Sequence, residues 1–169
     1  RKDFLLTTKE EIALTGLSVD GLHAWGKLYR EIAGNMEINV GGEQIGLAQA
    51  SSLLRGPDRN VRKQAWLAIN KSWEVHKNSV SSILNAINGW RNEANRMRSI
   101  KRKLHYLDQS CHESRITNET LNSLMDSAYK KREVGQRALR VMTKMMNVEK
   151  LGPWDLLSPY PLQEENEKK

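Results

Sequence analysis

The stretch LLRGPDRNVRKQAW, residues 53 to 66, contains the predicted end of one helix and the predicted start of the next. Its Gly-Pro-Asp run at 56–58 ends one short helix and begins another, because proline has no amide to lose in a first turn and aspartate favours the positive end of a helix. Over residues 61–97 apolar side chains then recur every three or four positions, which predicts a single helix of about forty residues. At 1.5 Å per residue that helix would be roughly 55 Å long, a length typical of a scaffold element in a large molecule.

The residues before this helix predict one further helix and one β element. Apolar residues recur with helical spacing from Leu22 to Ile32, and Ser18 can cap the helix that contains them. Residues 36–47 then alternate apolar and polar side chains around Gly41-Gly42, a pair that tolerates the positive φ angles of a tight turn. The sequence therefore predicts a β-hairpin that must pack on the helices or pair with another strand.

A second long helix is predicted after a weakly periodic connector at residues 105–116. Thr117 or Asn118 can cap it, and its apolar stripe runs over residues 121–146. The stripe ends in Met142, Met145 and Met146, which we interpret as core filling, with a soft binding face as the alternative. Three prolines in residues 151–162 then predict an extended segment.

These patterns predict a mostly α fold, an array of long antiparallel helices with one small β-hairpin at about residues 36–47. We expect a single helical lobe over residues 1–162 and a polar tail or linker over residues 163–169. Because such a tail after a proline-rich segment suits a connection to another domain, we expect the chain to be part of a larger protein.

Composition sets limits on the classes of function. The chain has 169 residues, of which 38% are hydrophobic and 28% charged, enough for one domain with a sizeable core. No apolar run approaches the roughly 20 residues that a membrane span requires, so we expect no membrane anchor and a cytoplasmic location. Cys111 is the single cysteine, which excludes an internal disulfide and a cluster of several cysteines around a metal.

The net charge of +7 permits binding to nucleic acid, an anionic membrane or an acidic peptide. The densest group of cations, which we call the basic cluster, comprises Arg96, Arg98, Lys101, Arg102 and Lys103. No aromatic residues alternate with these charges to stack on bases, so we interpret them as complementing the negative end of a helix.

One motif resembles half of a zinc-binding site. In the zincin motif His-Glu-x-x-His, both histidines lie on one face of a helix and hold the metal, while the glutamate polarises the water. Here His112 and Glu113 are followed by Ile116 where the second histidine is needed. The segment is also predicted to precede a helix, and we therefore interpret the match as a coincidence.

Other chemical sites are also not supported by spacing. His105, Asp108 and His112 would share a face only if the connector were helical, and no fourth metal ligand is fixed. His23 and His76 are interpreted as packing residues among tryptophans. Cys111 adjoins His112, but adjacent side chains seldom face each other, and no Gly-x-Ser-x-Gly or phosphate-binding loop occurs. We predict no catalytic, cofactor-binding or metal-binding residue in this chain.

Several segments, taken in order, carry a resemblance to a known family. They are LSVDGLHAWGKLYREI at 17–32, LLRGPDRNVRKQAW at 53–66, ILNAINGWRNEANR at 83–96, HYLDQSCHESRITNETLNSLMDSA at 105–128 and LGPWDLLSPYPL at 151–162. Together they resemble the oligoendopeptidase F family, relatives of thimet oligopeptidase, over nearly the whole chain. Cys111 departs from the apolar residue expected at its position.

The resemblance implies a zinc metallopeptidase that cuts oligopeptides in a deep channel between two largely helical halves. In that family the His-Glu-x-x-His helix and a further glutamate ligand lie much later in the chain, so this chain would match only the portion before the catalytic half. It implies zinc and the oligopeptide substrate in the complete enzyme, and a downstream catalytic half as the partner of this lobe. The chain by itself should be inactive.

Two alternatives from other classes of function remain open at this point. One is an independent basic helical module that binds nucleic acid through the basic cluster. The other is a helical module that binds a protein partner through the methionine-rich face.

Overall fold

The computed structural model describes residues 4–159, which are mostly helical with one β-hairpin. The predicted fold class is confirmed. In chain order the elements are α1 (Thr8–Ser18), a π-helical turn (Val19–His23), α2 (Ala24–Gly34), β1 (Glu37–Val40), β2 (Glu43–Gly46), α3 (Leu47–Leu53), α4 (Arg59–Val75), α5 (Lys77–Arg98), α6 (Asp108–Glu113), α7 (Asn118–Lys130), α8 (Arg132–Met145) and a 3₁₀ turn (Pro153–Asp155). No helix among the described residues is both long and apolar enough to cross a bilayer.

The chain divides into two compact units, and each combines two separate stretches of sequence. The first unit takes Arg1–Ile32 and His76–Lys130, and the second takes Ala33–Val75 and Lys131–Lys169. The single lobe predicted over residues 1–162 stays a prediction, and the tail predicted at 163–169 lies outside the described residues.

Both long helices predicted from apolar periodicity are interrupted by one residue. His76, with φ −94° and ψ 4°, separates α4 from α5, and Lys131, with φ −98° and ψ 8°, separates α7 from α8. Each prediction of a continuous helix is therefore wrong. Both interruptions also coincide with boundaries between the compact units. A one-residue break leaves apolar residues at nearly helical intervals, which is why periodicity alone does not reveal it.

The break also changes which side chain of α5 enters the core. Leu84 continues the apolar spacing predicted over residues 61–97 but is exposed, whereas Ile83 is buried. Ile83 is in helical phase with half-buried Ile87 and Trp90. The phase of α5 is set by its own packing in the first unit and does not continue from α4.

The first helical run is capped by Thr7, eleven residues earlier than the predicted cap Ser18. The Thr7 side chain accepts a hydrogen bond from the Glu10 amide at 3.4 Å, and the Glu10 carboxylate accepts one from the Thr7 amide at 2.8 Å. This is a capping box, which the sequence signals as Thr-x-x-Glu. The predicted capping role of Ser18 is wrong, because Ser18 lies within the run and its hydroxyl donates to the Thr15 carbonyl.

A glycine in the π-helical turn allows close packing against α5. A Cβ atom placed on Gly21 would lie 2.6 Å from the indole ring of Trp90. Real Cβ atoms do not approach other atoms so closely, so glycine is required unless the indole moves. A π-helical turn adds a residue to the helical run, and such turns are rare without a structural or functional reason.

Replacing Gly21 with alanine is therefore expected to lower the free energy of unfolding by about 1–3 kcal/mol, because the indole must shift. Urea titration followed by tryptophan fluorescence measures the change. Gly16→Ala is the matched control, since a Cβ there has no neighbour within 4 Å and alanine stabilises a helix by up to about 1 kcal/mol. Equal effects of both substitutions would contradict the packing role of Gly21.

The second unit contains the predicted hairpin, which is confirmed. Gly41 and Gly42 have φ angles of +63° and +97°, as the tight turn requires. Ile38 and Ile45 are paired across the two strands, and both are buried. The hairpin packs on α3 and α4, where Ala65 is buried. The hairpin therefore obtains from the helices the burial that two strands alone lack.

A buried ion network in the second unit attaches the 3₁₀ turn to α4. The carboxylate of Asp155 is fully buried and lies 3.2 Å from Nη2 of Arg62, whose side chain is 2% exposed. Nη2 of Arg59 lies 2.9 Å from the other carboxylate oxygen. Arg62 also donates to the carbonyls of Gly56, Pro57 and Trp154, at 3.0, 2.8 and 3.1 Å. One guanidinium thus holds the turn before α4 and the turn at 153–155 together.

The network also sets the charge state of Asp155. Burial alone would raise the pKa of its carboxyl, but hydrogen bonds from Arg59, the Gly152 amide and Arg62 hold that pKa below the ordinary value. Asp155 is therefore a carboxylate at neutral pH, and the buried Arg62 has its counter-ion.

Candidate functional site

The His112–Glu113 pair lies at the end of α6, so part of the segment interpreted as a connector is helical. Ile116 lies beyond that helix, and Arg115 adopts a positive φ of 56° between them. The carboxylate of Glu113 accepts a hydrogen bond from the Gln109 amide group at 2.9 Å. Because the helix stops before position 116, the motif could not place two ligands one turn apart even with a histidine there.

His105, Asp108 and His112, whose spacing did not support a metal site, each have a local environment of their own. His105 precedes α6, and Nδ1 of its ring accepts a hydrogen bond from the Leu107 amide at 3.3 Å. Asp108 is the first residue of α6, and its carboxylate accepts a hydrogen bond from the His105 amide at 3.0 Å. This hydrogen bond lowers the pKa of Asp108. Within residues 4–159, no three His, Cys, Asp or Glu side chains are grouped to hold a metal ion.

The remaining histidines differ from each other in environment. His76 is half-buried at the break between α4 and α5, as a packing residue would be. His23 is exposed in the π-helical turn, so the packing interpretation is wrong for it. Cys111 is buried, and its thiol donates to the Asn118 side chain at 3.4 Å. Burial is the ordinary environment of a structural cysteine and not of a reactive thiolate.

The basic cluster is largely engaged within the first unit. Arg96 pairs with Glu93, and Arg98 pairs with Glu11. Arg102 lies 4.2 Å from the centre of the Phe4 ring and 3.6 Å from the Asp108 carboxylate. Cations that already have carboxylate partners offer less charge to phosphates. The arrangement does not favour the nucleic-acid interpretation.

The first unit contains a cavity of about 900 Å³, lined by the start of the chain, the end of α5, α6 and the start of α7. Among its lining residues are Glu11, Arg98, Cys111 and His112. Arg98 donates to both oxygens of Glu11, at 2.5 and 2.8 Å, and so crosses one side of the cavity. Arg98 in this wall is paired with Glu11, and Cys111 is buried, so these residues contribute shape and hydrogen bonding to the cavity.

The Glu11–Arg98 pair makes this part of the unit sensitive to acid. The hydrogen bond from Arg98 lowers the pKa of Glu11, and burial opposes that effect. A carboxyl group whose pKa is lowered by folding stabilises the fold above its unfolded pKa, and the contribution is lost as the pH falls through the folded value.

Glu11→Gln is expected to cost up to about 1 kcal/mol of unfolding free energy at pH 7, the usual worth of a partly exposed pair. The difference from wild type should shrink as the pH falls below about 4. Urea unfolding at pH 7 and pH 3 measures it, with exposed Asp126→Asn as the control. A difference that persists at pH 3 would show that the variant acts through packing.

Two ion pairs between residues distant in sequence were not predicted. Glu11 and Arg98 are 87 positions apart, and Arg62 and Asp155 are 93 positions apart. No motif or periodicity joins residues at such separations. For Arg59, Arg62 and Asp155, the sequence offers one indication of importance: these residues lie within two of the segments that carry the family resemblance.

Comparison of the fold with solved structures gives strong matches. A structure of oligoendopeptidase F from Enterococcus faecium matches 94% of this chain with a TM-score of 0.78 at 21% sequence identity. The chain has the fold of one portion of that peptidase. A candidate peptidase from Chlamydophila abortus matches 94% of the chain with a TM-score of 0.79 at 16% identity. A candidate oligoendopeptidase F from Bacillus anthracis matches 82% with a TM-score of 0.69 at 17% identity.

The chain spans about a quarter to a third of the length of these structures, namely 32%, 27% and 26% respectively. The predicted resemblance to a portion of oligoendopeptidase F is confirmed at the level of the fold. No protein-family model matches the sequence, and no curated protein matches it either. The likeness to these solved structures is one of fold.

Proposed function

We propose that this chain is the non-catalytic helical lobe of a zinc metallo-oligoendopeptidase and forms part of the wall of its substrate channel. The observation that supports this most is the match to oligoendopeptidase F over 94% of the chain but only 32% of the peptidase. A fold shared with one portion of an enzyme fits a lobe whose reactive centre lies in another portion. The zinc ligands and the general base would then belong to the catalytic half.

The apolar surface of the chain supports the same proposal. The predicted core stripe of α7 and α8 is not core within the described residues, since Leu124 and Met125 are 62% and 61% exposed. Large apolar side chains exposed in groups are typical of surfaces that another part of a protein covers. A lobe that packs against a catalytic half requires such a surface.

In this proposal the contribution of the lobe to catalysis is geometric. A helical wall encloses the channel, excludes water from the reaction and limits the length of peptide that can enter. Those effects need rigid, closely packed helices and no activated side chain. The pairing of Arg98 with Glu11 and the burial of Cys111 are consistent with that role.

The test compares residues 1–169 with the full-length protein encoded by the same gene. The chain alone should bind no stoichiometric zinc by elemental analysis and should not cleave a quenched fluorescent oligopeptide. The full-length protein should do both, and a chelator should abolish its cleavage. Tight stoichiometric zinc binding by the chain alone, or an inactive, zinc-free full-length protein, would refute the proposal.

A further inference from the structure

Helix α8 has one polar and one apolar side, and the apolar side is exposed over residues 134–141, whereas Met142 and Met146 are half-buried. At 100° per residue, the positions from Arg132 to Met146 separate into an apolar arc of about 160° and a polar arc of about 140°. Residues 131–141 are all exposed. On the apolar arc, Val134 is 66% exposed and Val141 is 48% exposed. The arc contains Val134, Gly135, Ala138, Leu139, Val141, Met142, Met145 and Met146.

The middle of this arc is a shallow notch. Gly135 and Ala138 lie one turn apart, and a Cβ atom on Gly135 would have no neighbour within 4 Å. Small side chains let the backbone of a second helix approach closely, and the methionines beside them can adapt to its surface. The notch therefore suits a packed helix better than a flat or polar partner.

Charges border the arc on its polar side. Arg137 and Lys144 lie next to Val141 around the helix, and Arg140 follows them, with Glu133 as the one acidic residue of the helix. A partner with an apolar centre and acidic side chains at its edge would be complementary. A second copy of α8 would bring equal positive charges together. A membrane-surface helix would present large aromatic or leucine side chains, whereas this arc is shallow and lacks aromatic residues.

We propose that the apolar arc of α8 is a docking surface for a helix with acidic flanks that belongs to the remaining part of the proposed peptidase. This inference rests on the proposed function, because this chain covers only 26% to 32% of the solved structures, which are about three to three and a half times as long. Gly135 and Ala138 form its centre. The partner helix lies across the Gly135–Ala138 notch.

The test measures amide hydrogen exchange of residues 132–145 in the chain alone and in the full-length protein. In the chain alone these amides should exchange fast, and in the full-length protein they should be protected. Gly135→Leu should reduce that protection roughly tenfold or more, because leucine fills the notch. In the chain alone the same substitution should slow exchange, since leucine favours a helix more than glycine. Gln136→Leu, on the polar arc, is the matched control and should leave the full-length protection unchanged.

The proposal is overturned if α8 exchanges equally fast in both proteins, or if Gly135→Leu leaves the full-length protection intact. Protection of the chain alone that rises with its own concentration would assign the surface to a second copy. Protection that requires vesicles of phosphatidylcholine and phosphatidylglycerol would assign it to a membrane, and either result overturns the proposal.

Peptidase activity of the full-length protein is scored separately. Protected α8 amides in a protein without zinc or peptidase activity would refute the proposed function and leave the docking surface in place. Unprotected α8 amides in an active zinc peptidase would refute the docking surface and leave the proposed function in place.

Discussion

Asp155→Asn is expected to lower the free energy of unfolding of the second unit by about 3–5 kcal/mol, because it leaves the buried Arg62 cation without its counter-ion. The asparagine has nearly the shape of aspartate, so the loss reports charge and not volume. It also places an amide group where the carboxylate accepts hydrogen bonds from Arg59, Arg62 and the Gly152 amide. Urea titration at pH 7 followed by tryptophan fluorescence measures the change, since Trp66, Trp73 and Trp154 belong to this unit.

The matched control is Glu149→Gln, which removes one acidic charge from an exposed position of the same unit. It should change the unfolding free energy by no more than about 0.5 kcal/mol. A similar small effect of Asp155→Asn would mean that water reaches Arg62 and that the pair is not a buried one. The midpoint of the urea transition and its slope should be compared together, because a change in slope would show that the two states themselves had altered.

Arg62→Met is expected to have a comparable effect, with a loss of about 3–5 kcal/mol. Methionine fills much of the same space but cannot donate to the carbonyls of Gly56, Pro57 and Trp154. Buried acceptors left without partners cost about 1–3 kcal/mol each, less whatever water restores. The substitution also leaves Asp155 with Arg59 as its one remaining arginine.

Arg59→Met gives the comparison that isolates burial. Arg59 contacts the same carboxylate, yet its side chain is 40% exposed, against 2% for Arg62. The loss should therefore be about 1 kcal/mol, since exposed pairs contribute little. Equal losses for the two arginines would contradict the distinction drawn from burial. Asp155→Asn combined with Arg62→Met should cost less than the sum of the single changes, because both remove one interaction.

The candidate site could be predicted only in part. The failure of His112 and Glu113 as a zinc motif followed from Ile116 alone, since a metal ligand is a property of one residue type at one position. The helix that ends at Glu113 was not predicted, because a six-residue helix is too short to show periodicity. The cavity beside it could not be predicted, since its lining residues come from two distant stretches of sequence, residues 4–11 and residues 95–119.

The sequence by itself determined the local features of this protein. Gly41-Gly42 determined the hairpin, because few other residues adopt two successive positive φ angles, and Thr7 with Glu10 determined the start of the first helical run. The tertiary structure alone decided where the long helices break, which apolar side chains are buried, and that Arg62 meets Asp155 across 93 positions. The reason is physical: turns and caps depend on a few neighbouring residues, whereas burial and ion pairing depend on distances that exist only after distant segments have packed.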